Sequence, residues 1–109
     1  MHYRVGRQEQ LQPGMRFLVG EPCAPVAVFV LDDGTIRAID DACPHHGASL
    51  AYAPVCGDQV VCPWHDWRIS LATGQAMRFV GSDQPDRSHT VSTDAEGWVW
   101  VTVRTPSSN

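Results

Sequence analysis

The segment Val26-Ala27-Val28-Phe29-Val30-Leu31-Asp32-Asp33-Gly34-Thr35-Ile36-Arg37-Ala38-Ile39-Asp40 decides the fold class. Its first six residues are apolar on both faces and rich in β-branched side chains. Asp32-Asp33-Gly34 supplies turn chemistry, and Thr35 to Asp40 returns as an alternating strand, so the segment predicts a β-hairpin. Near the other end, Glu96-Gly97 precedes Trp98-Val99-Trp100-Val101-Thr102-Val103, whose alternation puts two tryptophans on one face and three valines on the other. That stretch predicts a well-buried closing strand. Gln59 to Cys62, Trp67 to Leu71 and Gln75 to Val80 are further strand candidates, with Ala72-Thr73-Gly74 turning the last two back on each other. Only Arg7 to Leu11 reads as helical, for one turn at most before Pro13-Gly14, and residues 81–86 read as a loop. The expected fold is all-β, built from small antiparallel sheets.

The chain has 109 residues, enough for one compact domain, so a single unit over residues 1–104 with a frayed tail over 105–109 is expected. Twelve acidic residues face eight arginines, lysine is absent, and the formal charge is −4. That balance argues against nucleic acid, which calls for a basic stripe, and favours a partner with a basic docking face. The first ten residues contain no apolar run of signal-peptide length and no later run approaches a membrane span, which predicts a soluble, cytoplasmic protein. In a reducing compartment the four cysteines are expected to be metal ligands or free thiols.

Two short texts share a design: Cys43-Pro44-His45-His46-Gly47 and Cys62-Pro63-Trp64-His65. Each follows a strand-like stretch, opens with Cys-Pro, and offers one thiolate and one imidazole. By residue counting alone this pattern arises by chance about 3 times in 10,000, which sets aside two turns that merely hold ordinary thiols and histidines. Zinc ribbons and fingers pair like ligands within a loop, whereas here each loop mixes sulfur and nitrogen. Two loops giving matched ligands suggest a two-metal site, with a structural zinc module as the alternative.

The pattern C-x-H-x16-C-x2-H, together with Cys43 to Leu50 and Cys62 to His65 as local texts, resembles the Rieske 2Fe-2S family over most of the chain. The resemblance implies a Rieske-type all-β fold with two cluster-binding loops at one end, the cluster-binding part lying at about residues 41–70. It implies one 2Fe-2S cluster, with Cys43 and Cys62 on the inner iron and His45 and His65 on the outer one. Two ferric ions, two sulfides and two thiolates carry no net charge when both imidazoles are neutral. An added electron therefore meets less repulsion than in a four-thiolate cluster, which lifts the potential into a range of about −150 to +300 mV. High-potential members carry an extra cysteine in each loop and a serine two places after the last histidine. Here those places hold Ala48, Trp64 and Trp67, which implies the low-potential, ferredoxin-like type. Asp66 stands where glycine usually follows the second histidine. The text from His65 to Gly74 is most similar to the small subunit of assimilatory nitrite reductases, and next to the Rieske ferredoxins of ring-hydroxylating oxygenases.

The implied function is single-electron transfer by a non-catalytic carrier or subunit, between an electron-donor reductase and an acceptor oxygenase or reductase, with neither nucleic acid nor membrane as partner. A redox sensor built on the same cluster is a further alternative. Other residues receive plainer readings: Cys23 and Cys56 as unpaired core thiols, His2 and His89 as surface residues, and His46 as a neighbour of the ligands. Trp64 is read as a water-excluding cover, the other tryptophans as packing, and Asp32-Asp33 and Asp40-Asp41 as turn chemistry.

Overall fold

A computed structural model describes residues 2–20, 25–42, 49–62, 67–76 and 87–103. Among the described residues, nine strands and one turn of 3-10 helix follow in chain order: β1 (His2–Arg7), the helical turn (Gln8–Gln10), β2 (Arg16–Val19), β3 (Val26–Val30), β4 (Ile36–Asp40), β5 (Val55–Cys56), β6 (Gln59–Val61), β7 (Arg68–Ser70), β8 (Thr90–Thr93) and β9 (Trp98–Thr102). They form three antiparallel sheets, ordered β1-β9-β8, β2-β3-β4 and β5-β6-β7. The all-β expectation and the 26–40 hairpin stand. No helix among the described residues is long and apolar enough to cross a membrane.

The β3–β4 hairpin forms where its turn chemistry lies. Val30 pairs with Ile36, the Leu31 N–H donates to Thr35 O at 2.8 Å, and Gly34 takes a φ of 87° that a side chain would oppose. Asp33 Oδ1 accepts the Thr35 N–H at 2.9 Å, and the Thr35 hydrogen bonds hold the Asp33 carboxyl below its ordinary value of 3.8.

All five residues of β3 are buried, because its sheet is the middle layer. Ala27, Phe29 and Leu31, with Ile39 of β4, enter one core shared with Val60, Cys62, Ile69 and Leu71 of the β5-β6-β7 region. Val26 and Val28, with Ala38, enter a second core shared with Val101 of β9 and the partly buried Val5 and Val91. A strand covered on both faces is necessarily apolar at every position, which explains its unbroken run.

The closing strand β9 lies at the centre of its sheet and is buried on one face only. Val99 and Val101 are fully buried, whereas Trp98 and Trp100 are half-buried on the outer face. Arg4 and Arg7 stack on the Trp98 ring at 4.3 and 4.9 Å, and Trp100 Nε1 donates to Asp94 Oδ2 at 3.0 Å. The valines fill the core, and the tryptophans, read as packing, pack on the outer face against charged groups. Asp94 Oδ1 also accepts the N–H groups of Glu96 and Trp98. The Trp100 indole N–H and then the Trp98 N–H hold the Asp94 carboxyl below 3.8.

Of the expected Gln75–Val80 strand, Ala76 forms an isolated bridge to Ile69; residues 77–80, the 81–86 loop and the 105–109 tail lie outside the described residues. Gly74 joins the end of this region to the segment entering β8. Its φ is 73°, and a Cβ there would lie 2.6 Å from the Arg87 Cβ, so both conformation and space require glycine.

Candidate metal centre

Of the four expected ligands, Cys62 lies within the described residues, and Cys43, His45 and His65 lie outside them, as do His46, Trp64, Asp66 and Cys23. The structure does define the bases of both loops that carry these residues.

Residues 63–66 lie in sequence between β6 and β7, which pair antiparallel. The ladder pairs Gln59 with Ser70, Val60 with Ile69 and Val61 with Arg68. It continues one step further, where the Cys62 N–H donates to Trp67 O at 2.8 Å. Cys62 is fully buried within the core shared with the middle sheet, against which Trp67 packs in part. A thiol in this position is shielded from water and fixed by backbone pairing on its own residue.

The described residues on either side of 43–48 are joined differently. Asp41, only 8% exposed, spans the loop with its carboxylate: Oδ2 accepts the Ser49 hydroxyl at 2.7 Å, and Oδ1 accepts the N–H groups of Leu50 and Ala51 at 2.7 and 2.8 Å. The Asp41 N–H donates to Pro25 O at 3.0 Å, anchoring the near stem to the residue just before β3. Turn chemistry at Asp40-Asp41 is therefore a misreading. Asp41 bonds across to Ser49, Leu50 and Ala51, and Asp40 Oδ1 accepts from His89 Nε2 at 2.6 Å. The His89 side chain is 6% exposed, so it is not the surface residue the sequence suggested. Nothing in the text around Asp41 betrayed its bonds, because Ser49, Leu50 and Ala51 become its neighbours only after the loop has folded back.

The two loop bases meet. The chain leaving the first loop runs through Pro54, whose carbonyl accepts the Val61 N–H at 2.8 Å, directly before Cys62. Leu50, Ala51, Ala53 and Cys62 lie in one buried cluster. Cys56, expected as a core thiol, is a free and exposed cysteine on β5, because that two-residue strand leaves it on the outer side of its hairpin. Among the described residues no three His, Cys, Asp or Glu side chains gather as a metal site. The chemistry of the expected set, two thiolates and two imidazoles, suits an iron-sulfur cluster, and the member that is described, Cys62, is a buried thiol beside the stem that leaves residues 43–48.

Comparison with known proteins agrees with this geometry. The family model of the Rieske [2Fe-2S] domain matches residues 1–93. The chain is 30% identical over 105 residues to the cholesterol 7-desaturase of Bombyx mori, an alignment covering 90% of this chain and 23% of that protein. Its fold matches a chain from the complex of reduced oxygenase and oxidized ferredoxin in carbazole 1,9a-dioxygenase, with a TM-score of 0.73, 30% identity, and coverage of 92% of this chain and 100% of the other. It also matches a chain assigned as the small subunit of an NADH-dependent nitrite reductase from Mycobacterium tuberculosis, with a TM-score of 0.77, 21% identity, and coverage of 96% and 97%. The chain spans about a quarter or less of the length of the curated relatives it matches. With two converging loop bases, a buried cysteine at one of them, and a family match over most of its length, this chain belongs to the Rieske [2Fe-2S] domain family, whose cofactor is one Rieske-type 2Fe-2S cluster.

Proposed function

We propose that this chain is a one-electron carrier or non-catalytic redox subunit that holds its cluster through Cys43, His45, Cys62 and His65. The observation that carries the reading is the convergence of the two loop bases, through Pro54 and Val61, beside the buried Cys62. Cys62, shielded from water, suits the inner iron together with Cys43, and the two imidazoles then serve the outer iron. When bound, the cluster supplies one-electron chemistry at a potential set by mixed nitrogen and sulfur ligation. The protein's part is to bury the thiolates, fix the loop bases, and present one end of the fold to a partner. Residues 1–104 act as a single domain in this reading, and a cytoplasmic, reducing setting suits its cysteines.

The electron donor is a reductase and the acceptor an oxygenase or another reductase. Similarity at 30% identity to a full-length chain from an oxygenase–ferredoxin complex supports the oxygenase class, whereas the likeness to the nitrite reductase small subunit, at 21%, concerns the fold alone.

The test is the electron paramagnetic resonance spectrum of the protein reduced with dithionite without air. A rhombic signal with the low average g of mixed ligation is expected. A silent sample holding zinc and no sulfide would overturn the reading in favour of a structural module. A folded His65→Ala variant should lose the redox signal, and an unchanged potential in that variant would remove His65 from the outer iron.

A further inference from the structure

We propose that Asp41 and Arg16 form a two-sided clamp on the Leu50–Ala53 turn, which sets the geometry of the loop bearing Cys43 and His45. The proposal rests on the reading of those two residues as ligands.

The turn is gripped through its backbone by opposite charges. Asp41 Oδ1 takes the N–H groups of Leu50 and Ala51, at 2.7 and 2.8 Å, while Oδ2 takes the Ser49 hydroxyl at 2.7 Å. From β2, the Arg16 guanidinium donates to the carbonyl of Ala51 at 3.3 Å and to that of Ala53. Ala51 thus gives its N–H to an anion and its C=O to a cation. Arg16 is itself steadied over the Phe29 ring, 5.8 Å from its centroid. The turn closes on its own account as well, with the Ala53 N–H donating to Leu50 O at 3.1 Å.

Burial alone would not do this. Leu50 and Ala51 are essentially fully buried, and apolar burial holds a segment in place without fixing its orientation. Charge-assisted hydrogen bonds are directional and roughly twice as strong as neutral ones, and here they are made in a partly desolvated site. Asp41 stands two residues before Cys43, and its acceptors bind the first residues after the loop. One carboxylate therefore ties both stems of a six-residue loop, while Arg16 fixes the far stem to the middle sheet. Asp41 and Arg16 are positioning residues in this scheme, acting through the loop.

The experiment compares the cluster-loaded wild type with Asp41→Ala, Asp41→Asn and Arg16→Ala, and with Val91→Ala as a control in the other core. Two quantities are read: hydrogen exchange at the Leu50 and Ala51 amides, and the half-life of the cluster's visible absorption in air with a chelator. In Asp41→Ala, both amide exchange and cluster loss should accelerate about tenfold or more, the equivalent of losing one charged hydrogen bond. Asp41→Asn retains a carbonyl oxygen for the two amides and should recover most of the lifetime. Arg16→Ala should shorten it to a lesser degree, and Val91→Ala should leave it near wild type despite a lowered melting temperature. The clamp is refuted if Asp41→Ala keeps the wild-type lifetime, or if Val91→Ala loses its cluster as fast. Should Asp41→Ala fail to fold, Arg16→Ala decides: a faster Ala51 amide with a shortened lifetime supports the clamp, and wild-type values of both overturn it. A wild-type protein that takes up neither iron nor sulfide would instead defeat the ligand reading, a result visible before any variant is made.

Discussion

The β2-β3-β4 sheet pairs four or five residues along each strand and buries every residue of β3, whereas the β5-β6-β7 sheet pairs only two or three. The first sheet is stabilised by side chains packed on both of its faces. Strands as short as β5 and β6 cannot hold themselves by pairing alone, and this sheet is anchored by the core it shares with the middle sheet. The two sheets thus differ in what stabilises them: packing on both faces in one, and a single shared core in the other. The loops can be set by local hydrogen bonds while the middle sheet keeps the whole together.

The contrast can be broken most directly by Cys62→Ser. Complete loss of the cluster is expected by iron and sulfide analysis, with hydrogen-exchange protection falling in β6 and β7 and persisting in β3. An equal fall in β3 and β6 would show that the two layers unfold as one. Next in size is Phe29→Ala in the middle sheet, expected to cost about 3–5 kcal/mol in urea unfolding because a large buried ring leaves a cavity. Gly74→Ala tests the joint between the small sheet and β8. Its positive φ and the approach of Arg87 should make it cost about 2 kcal/mol or more, read in the same way.

The smallest effect lies on the outer sheet. The Asp94 carboxyl sits below 3.8 in the folded protein, so its contribution is fully present above the unfolded value and is lost as pH falls through the folded one. The difference in urea midpoint between wild type and Asp94→Asn should therefore shrink on going from well above 3.8 to well below it. A constant difference would mean that the Trp98 and Trp100 bonds survive protonation.

Strands with a strong apolar run or clean alternation were legible in the sequence: β3, β4, β6, β7 and β9. Those without one were not. β1 contains Gly6 and a register shift between Arg4 and Gly6, β2 is four residues of intermediate burial, β5 is only two residues long, and β8 is mostly polar and exposed. β1 is recruited by β9, far off in sequence, whereas β2 and β8 pair with the strands that directly follow them and take their order from those partners, so their own local pattern carried little signal. At the candidate site the Cys and His spacing singled out two segments as candidates, because ligand chemistry constrains residue type. What holds the loops was hidden, since Asp41 acquires its role from residues eight to ten places away, and Arg16 from residues 35 and 37 places away.

The position of β3 between two cores bears on how its register is proofread. In an ordinary sheet a one-residue slip exposes apolar side chains and is rejected by polarity. Here a slip would exchange two apolar sets, Val26 and Val28 for Ala27, Phe29 and Leu31, and polarity would not notice. What distinguishes the sets is volume, since Phe29 has no room where a valine belongs, and the turn at Asp33-Gly34 counts the residues. β3 carries two interleaved messages, one for each core, and size and turn length keep them in frame.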